Sequence, residues 1–154
     1  MKTHPTANIR NVALVGHSGS GKTTLVEALL ARSGATPRTG RVEEGTTVSD
    51  TEPEELKRRI SLSLALAPIE WDGYKINLID TPGYADFMGE VEAALSVADL
   101  AVFVVSAVDG VEVQTEAIWN RCAQLGVPRM VFVNKEDKER ADFHRVLDLS
   151  LIHI

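Results

Sequence analysis

The sequence predicts an α/β fold in which helices cover both faces of a mostly parallel sheet that includes one antiparallel hairpin. After residue 80, apolar strands such as residues 100–105 alternate with helical patterns, which is typical of parallel strands buried on both sides. Before residue 80, an Asp72-Gly73 turn between two strand-like runs indicates the hairpin. Because ligands of such sheets bind at the carboxyl ends of the strands, functional residues are expected there.

Composition and charge narrow the class of protein. At 154 residues and 44% hydrophobic, the chain has the size and core of one globular domain. Its apolar runs are too short to span a bilayer and its single cysteine, Cys122, can form no internal disulfide, so we expect a cytoplasmic location without membrane contact. The net charge of −6 argues against broad nucleic-acid binding. We therefore expect no DNA partner, and we expect a monomer.

The first third of the chain predicts one strand, one helix and a long loop. Residues 1–8 are interpreted as a flexible leader, residues 9–15 as the first strand, and residues 22–33 as the first helix with Gly34 as its C-cap. Residues 35–59 hold few apolar side chains and predict a loop with one helical turn near residues 53–57. Loops of this length in compact domains are usually functional.

The rest of the chain predicts the hairpin and the parallel strands. Over residues 61–69, Leu62, Leu64 and Leu66 alternate with small residues and predict the buried face of a strand that pairs with residues 75–79. The later patterns predict a helix through Val91 and Val97, strands over residues 100–105 and 129–133, and helices over residues 113–125 and 138–149.

A glycine-rich loop between the first strand and the first helix fits the pattern G-x-x-x-x-G-K-[ST] of P-loop nucleotide-binding proteins. Such a loop can aim successive backbone N–H groups at a phosphate, and the following helix adds its positive N-terminal end. Lys22 would reach the β- and γ-phosphates, and the Thr23 hydroxyl would ligate Mg²⁺. The predicted phosphate-binding residues are Gly16, His17, Ser18, Gly19, Ser20, Gly21, Lys22, Thr23 and Thr24.

Asp80 ends an apolar strand and begins the run Asp80-Thr81-Pro82-Gly83. Its carboxylate would emerge beside the phosphate loop, where it can hold Mg²⁺ through water. Gly83 could bring its backbone N–H close to a γ-phosphate, because it has no side chain. The sequence therefore predicts that all four residues contact the nucleotide and that Asp80 also serves the metal.

The run Asn134-Lys135-Glu136-Asp137 follows the last predicted strand and is interpreted as a guanine reader. The Asp137 carboxylate would accept hydrogen bonds from the N1–H and amino groups of guanine, whereas adenine would leave it desolvated and unpaired. Asn134 would tie this loop to the phosphate loop, and the stem of Lys135 would pack along the base.

These motifs in this order, together with residues 58–61, resemble the GTP-binding domain of the translational GTPases, and within them the elongation factor G family with its elongation factor G-like paralogues. The resemblance implies that residues 9–148 form a domain that binds GTP or GDP with Mg²⁺, hydrolyses GTP, and switches ribosome binding during elongation. Residues 35–61 would be the first switch and residues 81–90 the second, ordered by the γ-phosphate and released on hydrolysis.

Several positions depart from the family pattern, and they concern hydrolysis more than binding. Tyr84 stands where the family has the histidine that positions the attacking water, and a phenol can orient water but cannot reproduce an imidazole. Gly19 replaces an aspartate, Arg59 replaces a glycine, and Ser61 replaces the switch threonine while keeping a hydroxyl for Mg²⁺. Altered or slow hydrolysis is therefore expected. The predicted catalytic residues are Lys22, Gly83, Tyr84 and Arg59.

The missing aspartate and glycine are thought to help seat a monovalent cation in the family. We hypothesise that the guanidinium of Arg58 or Arg59 replaces this cation near the β–γ bridge and acts in cis as an arginine finger. The alternative is that both arginines are solvated or contact ribosomal RNA.

The resemblance also bears on the extent of the chain. The guanine site of the family needs one more loop of Ser-Ala type, so we expect the domain to be truncated at its C-terminus. Residues 149–154 are also what the end sequence of a transposon used in DNA library preparation encodes in one frame. They are predicted to be an artefactual tail.

Other functions stay open at this point. Within the family, the chain could belong to a full ribosomal translocase that tolerates Tyr84. Outside it, the alternatives are a non-catalytic GTP-gated binding module and a P-loop ATPase or kinase. Residues 134–137 argue against the ATPase or kinase.

Overall fold

The computed structural model describes residues 3–49, 53–58 and 60–153. Its strands are β1 Ile9–Val15, β2 Ala65–Trp71, β3 Tyr74–Asp80, β4 Leu100–Ser106 and β5 Arg129–Asn134. Its α-helices are α1 Lys22–Ser33, α2 Pro53–Arg58, α3 Met88–Leu95, α4 Val113–Leu125 and α5 Phe143–His153. Short 3-10 turns occupy Thr6–Asn8, Val42–Glu44 and Ala85–Phe87.

The strands form one sheet in the order β2-β3-β1-β4-β5. β1 pairs in parallel with β3 and β4, β4 pairs in parallel with β5, and β2 pairs antiparallel with β3. Asp72 and Gly73 between β2 and β3 have φ of 47° and 80°, the left-handed pair that a two-residue hairpin turn requires. The predicted mostly parallel sheet with one hairpin is confirmed.

Apolar side chains form a core on each face of the sheet. On one face, α1 contributes the buried Val26 and Leu30. On the other face, α3, α4 and α5 contribute the buried Val91, Ile118 and Val146. Helices therefore cover both faces, and the loops at the carboxyl ends of the strands remain accessible. None of the helices in the described ranges is long and apolar enough to cross a membrane.

β5 is less covered than the centre of the sheet. Met130 and Phe132 lie in register with the buried Val102 and Val104 of β4, yet they are 49% and 38% exposed. The helix α1, which covers this face, packs on β2 and β3. The β5 end of the face is therefore an apolar surface in the described part of the chain.

The predicted buried face of the second strand is wrong within β2. Leu62 and Leu64 precede β2, and Leu64 packs, partly buried, against the core under α3, α4 and α5. Leu66 within β2 is 60% exposed, while Ala67 and Ile69 are buried. The reason is that the backbone N–H groups of residues 62–64 bond to carboxylates and not to β3. The alternation of leucines before residue 65 therefore does not describe a strand.

The last helix begins at Phe143 and not near residue 138 as predicted. Asp142 Oδ1 accepts a hydrogen bond from Arg145 N at 2.9 Å, and Asp142 O accepts one from Val146 N at 3.2 Å. Asp142 thus caps the helix and fixes its start. α5 continues to His153, so it includes most of residues 149–154, and their artefactual origin stays a prediction.

The described part of the predicted leader contacts the hairpin. His4 Nε2 lies 3.1 Å from Glu70 Oε1, and Asn8 Nδ2 donates to Gly73 O at 3.3 Å. Residues 6–8 form a 3-10 turn that leads directly into β1. These contacts give residues 3–8 defined positions beside β2 and β3.

Candidate nucleotide-binding site

The carboxyl ends of the parallel strands open onto a cavity of about 630 Å³. The loops after β1, β3 and β5 meet there with the start of α1, and this volume is in the range that small-molecule ligands occupy. The predicted site residues that line the cavity are Ser18, Gly19, Gly21, Lys22, Thr23, Thr24, Ser61, Thr81, Gly83, Tyr84, Asn134, Lys135 and Asp137. Motifs that are far apart in the sequence therefore face one space.

The phosphate loop closes tightly around the side chain of Lys22. Lys22 is the first residue of α1, and its Nζ donates hydrogen bonds to Gly16 O and His17 O, both at 2.9 Å. Gly21, just before it, has a φ of 96°, and a Cβ at this position would collide with the amide of Asn134. Only glycine fits this backbone conformation and this close approach.

The ammonium group of Lys22 is held in a site poor in water. Only 6% of the residue is exposed, and burial lowers the pKa of Lys22 from 10.5 to about 8, against a raising effect of Asp80. An anion in the cavity would favour the charged form of this lysine by Coulomb attraction. The electrostatics of the loop therefore suit a phosphate ligand.

Hard oxygen atoms meet beside the start of α1. Thr23 Oγ1 donates to Asp80 Oδ2 at 2.7 Å and lies 3.3 Å from Ser61 Oγ. Hydroxyl and carboxylate oxygens are ligands that Mg²⁺ prefers, so this donor set fits the predicted magnesium site. Within the described ranges, no group of three or more His, Cys, Asp or Glu side chains could hold a metal.

The loop after β3 approaches the phosphate loop closely at Gly83. A Cβ at Gly83 would lie 2.6 Å from Lys22 Nζ and 2.6 Å from Ser18 N, so a side chain at this position would displace one or the other. Tyr84 follows, lines the cavity and is 41% exposed. Thr81 Oγ1 donates to Leu14 O at 2.7 Å, which fastens this loop to β1.

The loop after β5 is bonded to the phosphate loop. Asn134 Nδ2 donates to Ser20 O at 2.9 Å. Lys135 has a φ of 65°, a left-handed conformation that turns the chain sharply after β5. Asp137 lines the cavity with 77% of its side chain exposed, so its carboxylate is accessible to a ligand.

The ring of His17 does not line the cavity. It is almost fully buried, with Nε2 at 3.7 Å from Asp109 Oδ2 and 3.8 Å from Glu112 Oε1. Burial lowers the pKa of His17 against the raising effects of Glu112 and Asp109, and the hydrogen bond from Ser106 lowers the pKa of Asp109. Sequence reasoning missed both acids, because the loop after β4 carries no recognisable motif.

Some predicted site residues act from behind the cavity wall or lie outside the structure. Those that do not line the cavity are Gly16, His17, Ser20, Asp80 and Pro82. The carbonyl oxygens of Gly16, His17 and Ser20 hold Lys22 and Asn134, and Asp80 bonds to Thr23. Arg59 and the side chain of Arg58 lie outside what the structure describes.

Three cavity residues were not predicted: Val42, Ile60 and Lys138. Val42 and Ile60 belong to the long loop after α1, where the sequence does not specify which apolar side chains fold back toward the phosphate loop. Lys138 follows Asp137, and its Nζ lies 3.6 Å from Asp137 Oδ2. Its place directly after the guanine-reading run is the signal that could have suggested it.

A phosphate loop after β1, a carboxylate at the end of β3 and an Asn-Lys-x-Asp run after β5 are the parts of a P-loop domain that binds guanine nucleotide. The family described as the elongation factor Tu GTP-binding domain matches residues 7–151 of this chain. The chain belongs to that family. Its predicted P-loop NTPase fold, with the G-domain arrangement, and its resemblance to the translational GTPases are confirmed.

Curated relatives of the chain are translation factors. The chain is 50% identical to the elongation factor G-like protein of Mycobacterium tuberculosis over 147 residues, 93% of this chain and 21% of the relative. It is 46% identical to elongation factor G 2 of Streptomyces coelicolor, over 92% of this chain and 21% of that protein. It is 45% identical to the mitochondrial ribosome-releasing factor 2 of Debaryomyces hansenii, over 93% of this chain and 17% of that protein. The chain thus spans about a fifth of the length of these relatives.

Solved structures agree with this assignment. A crystal structure of a protein from Thermus thermophilus superposes with a TM-score of 0.89 at 50% identity, over 96% of this chain and 22% of that one. The elongation factor SelB of Methanococcus maripaludis, solved with the GTP analogue GppNHp, gives a TM-score of 0.66 at 24% identity, over 93% of this chain and 25% of that one. The likeness to SelB concerns the fold alone.

Proposed function

We propose that this chain is the nucleotide-binding part of an elongation factor G-like GTPase, which binds GTP with Mg²⁺ and hydrolyses it to GDP and phosphate. The observation that carries the proposal is the single cavity lined by the phosphate loop, the loop after β3 and the Asn134–Asp137 loop. A P-loop ATPase or kinase would need no carboxylate at the position of Asp137 to recognise its base. Guanine, in contrast, offers two hydrogen-bond donors that this carboxylate can accept.

Each part of the cavity has a distinct task. Lys22 exchanges its bonds to Gly16 O and His17 O for bonds to phosphate oxygens, and the α1 N-terminus adds its positive end. The carboxylate of Asp137 accepts hydrogen bonds from the N1–H and amino groups of guanine. The bond from Asn134 to Ser20 keeps the base and phosphate subsites at a fixed separation.

Thr23, Ser61 and Asp80 would hold Mg²⁺, directly or through water. When bound, the metal neutralises charge on the β- and γ-phosphates. Gly83 brings its backbone close to Lys22 and Ser18, where a side chain would not fit, so its N–H can reach the terminal phosphate, and the Tyr84 hydroxyl orients the attacking water. Because a phenol is a poorer water-positioning group than an imidazole, we expect the intrinsic hydrolysis to be slow.

The proposed setting is the ribosome, in the cytoplasm. Residues 35–61 and 81–90 act as two switches that change conformation when the γ-phosphate leaves and thereby alter affinity for the ribosome. Sequence relationship to elongation factor G-like proteins supports this role. Monomeric action and the absence of DNA or membrane partners belong to the same proposal.

The test is Mg²⁺-dependent binding of labelled GTP and ATP to the full-length natural protein, followed by phosphate release with and without ribosomes. We expect binding of GTP over ATP and phosphate release that ribosomes stimulate. A preference for ATP would contradict the proposal. Phosphate release by an Arg59→Ala variant, measured with and without K⁺, tests the arginine hypothesis: unchanged, K⁺-independent release would refute it.

The second candidate is a GTP-gated binding module without catalysis. It is favoured by one observation, the presence of half-exposed Tyr84 at the cavity where the family has a histidine. Tight GTP binding with no phosphate release, even with ribosomes present, would favour this function over the first.

A further inference from the structure

Three successive backbone N–H groups between the first switch and the sheet bond to carboxylates. Glu55 Oε1 accepts hydrogen bonds from Leu62 N at 2.9 Å and Ser63 N at 3.2 Å. Glu90 Oε2 accepts one from Leu64 N at 3.1 Å. Glu55 belongs to α2 in the first switch, and Glu90 belongs to the first turn of α3 at the end of the second switch.

These bonds immediately follow Ser61, the predicted metal ligand from the first switch. Ser61 Oγ lies 3.3 Å from Thr23 Oγ1, and β2 begins only at Ala65. The segment from Ser61 to the sheet is therefore held by hydrogen bonds to two carboxylates from other elements. In a strand, the same N–H groups would bond to the backbone of the neighbouring strand. Glu55 is 2% exposed, so its bonds form in a setting of low dielectric and are correspondingly strong.

We propose that Glu55 and Glu90 are positioning residues that hold the Ser61 hydroxyl at the magnesium site by fixing residues 62–64. The inference rests on the proposed function and adds two residues that do not line the cavity. Glu90 also makes the placement of Ser61 depend on the second switch, because α3 directly follows the loop that carries Gly83 and Tyr84. The two switches then respond to Mg²⁺ as one unit.

The proposal predicts that loss of either carboxylate weakens the response to Mg²⁺ and not the binding of nucleotide itself. Without its acceptor, the segment after Ser61 samples more conformations, and the hydroxyl must be ordered when the metal binds. Glu90→Ala should raise the Mg²⁺ concentration for half-maximal GTP retention by about tenfold, the size expected for losing one charged hydrogen bond. Affinity for GTP in excess EDTA should not change.

The experiment uses the full-length protein with a fluorescent GTP analogue and a Mg²⁺ titration. Glu90→Gln keeps an acceptor oxygen and should restore most of the Mg²⁺ response, whereas Glu90→Ala should not. Glu55→Ala is the parallel variant. If the protein does not fold with alanine at this buried position, the Glu90 variants alone provide the test. Glu116→Ala, an exposed change on α4 outside both switches, is the control and should leave the titration unchanged.

A double-mutant cycle with Ser61→Ala separates positioning from general loosening. If Glu90 acts through Ser61, Glu90→Ala should add no further shift to the Mg²⁺ titration of Ser61→Ala. Additive shifts, or an equal loss of affinity in EDTA, would overturn the proposal. A parent protein that shows no Mg²⁺-dependent GTP binding would overturn the proposed function, and the inference with it. Hydrogen exchange at residues 62–64 of the nucleotide-free Glu90→Ala protein, if not accelerated, would refute the positioning contact by itself.

Discussion

Lys22 combines burial with a full positive charge, and it does so at the point where phosphates are expected. Its ammonium group donates hydrogen bonds to two carbonyl oxygens of its own loop, and the residue is almost fully removed from solvent. Two dipoles do not replace bulk water, which is why burial lowers the pKa of Lys22 to about 8. The residue is therefore set to respond to both pH and ligand charge.

The affinity for GTP should fall as the pH rises through about 8. Above this value the lysine of the free protein loses its proton, so binding must take one up, and the association constant declines by up to about tenfold per pH unit. Binding titrations between pH 7 and 9 at constant Mg²⁺ and salt measure the slope. Lys22→Arg, which stays charged, should bind less tightly but with a flat profile; a flat profile of the parent would contradict the assignment.

The same pKa makes the free protein more stable at alkaline pH. The folded pKa of Lys22 lies below the unfolded value of 10.5, so unfolding takes up a proton between about pH 8 and 10.5. The free energy of unfolding therefore gains a contribution that rises with pH in this window. Denaturant melts of the parent and of Lys22→Met across the window should show that the variant lacks this contribution.

Asp137→Asn should change which base the protein prefers. An asparagine side chain offers one acceptor and a donor, so it cannot accept both donors of guanine, but it can donate to the C2 carbonyl of xanthine. We expect at least about a hundredfold loss of GTP affinity and a gain of affinity for xanthosine triphosphate. Competition binding measures both. Asp148→Asn, an exposed change on α5, is the control, and an unchanged preference for GTP in Asp137→Asn would rule out the base-reading role.

At the scale of elements, carboxylates organise the long segment between α1 and β2. Glu27 of α1 is 1% exposed, and its two oxygens accept hydrogen bonds from Gly40 N at 3.1 Å and Val48 N at 2.5 Å. Glu27 thus holds the first half of the segment as Glu55 and Glu90 hold the second. A loop with few apolar side chains is therefore held in place here by hydrogen bonds to buried or partly buried carboxylates.

Glu27→Ala should release the first half of this segment. A buried N–H group (Gly40) and a partly buried one (Val48) would lose their acceptor, at a cost of about 2–4 kcal/mol in the free energy of unfolding. Trypsin should then cleave faster after the exposed Arg38 and Arg41. Urea melts and timed proteolysis measure the two effects. Glu116→Ala on the surface of α4 should change neither, and protection of the two sites equal to that of the parent would argue against the contact.

Asp142→Ala should weaken α5 by removing its cap. The change deletes the acceptor for Arg145 N and should lower the free energy of unfolding by about 1 kcal/mol. Helicity by circular dichroism and urea melts provide the measurement. Asp148→Ala within the same helix serves as the matched comparison; equal effects of the two substitutions would show that the cap is unimportant.

These elements show where local sequence patterns suffice and where they do not. β1, α1 and α4 begin and end as predicted, because apolar periodicity and the C-cap glycines Gly34 and Gly126 are local signals. β2 was predicted out of phase, because its start depends on Glu55 and Glu90 from other elements. The phosphate and guanine motifs are likewise local, whereas the acids around His17 come from a distant loop without a motif.

For the molecule as a whole, the site is a junction of three strands. The phosphate loop follows β1, Asp80 ends β3 and Asn134 ends β5, so a ligand that contacts all three links the edge strand to the centre of the sheet. Such a ligand binds the folded chain and not the unfolded one. Its binding free energy is therefore added to the stability of the entire sheet.

GDP with Mg²⁺ should raise the thermal stability of the chain, and ADP should not. At a ligand concentration of a hundred times the dissociation constant, the free energy of unfolding should increase by about 2.7 kcal/mol, equivalent to roughly 5–10 °C for a domain of this size. Thermal scans with each nucleotide measure the shift. Lys22→Ala should abolish it, and equal shifts with GDP and ADP would contradict the guanine-specific site.

The bond from Asn134 to Ser20 spans 114 residues of sequence. A chain made from its N-terminus completes the phosphate loop early, but this loop lacks its partner until β5 has been synthesised and has docked at the edge of the sheet. Nucleotide capture would thus report that β5 is in place. A nascent chain of this protein would therefore acquire its ligand only after β5 has joined the sheet.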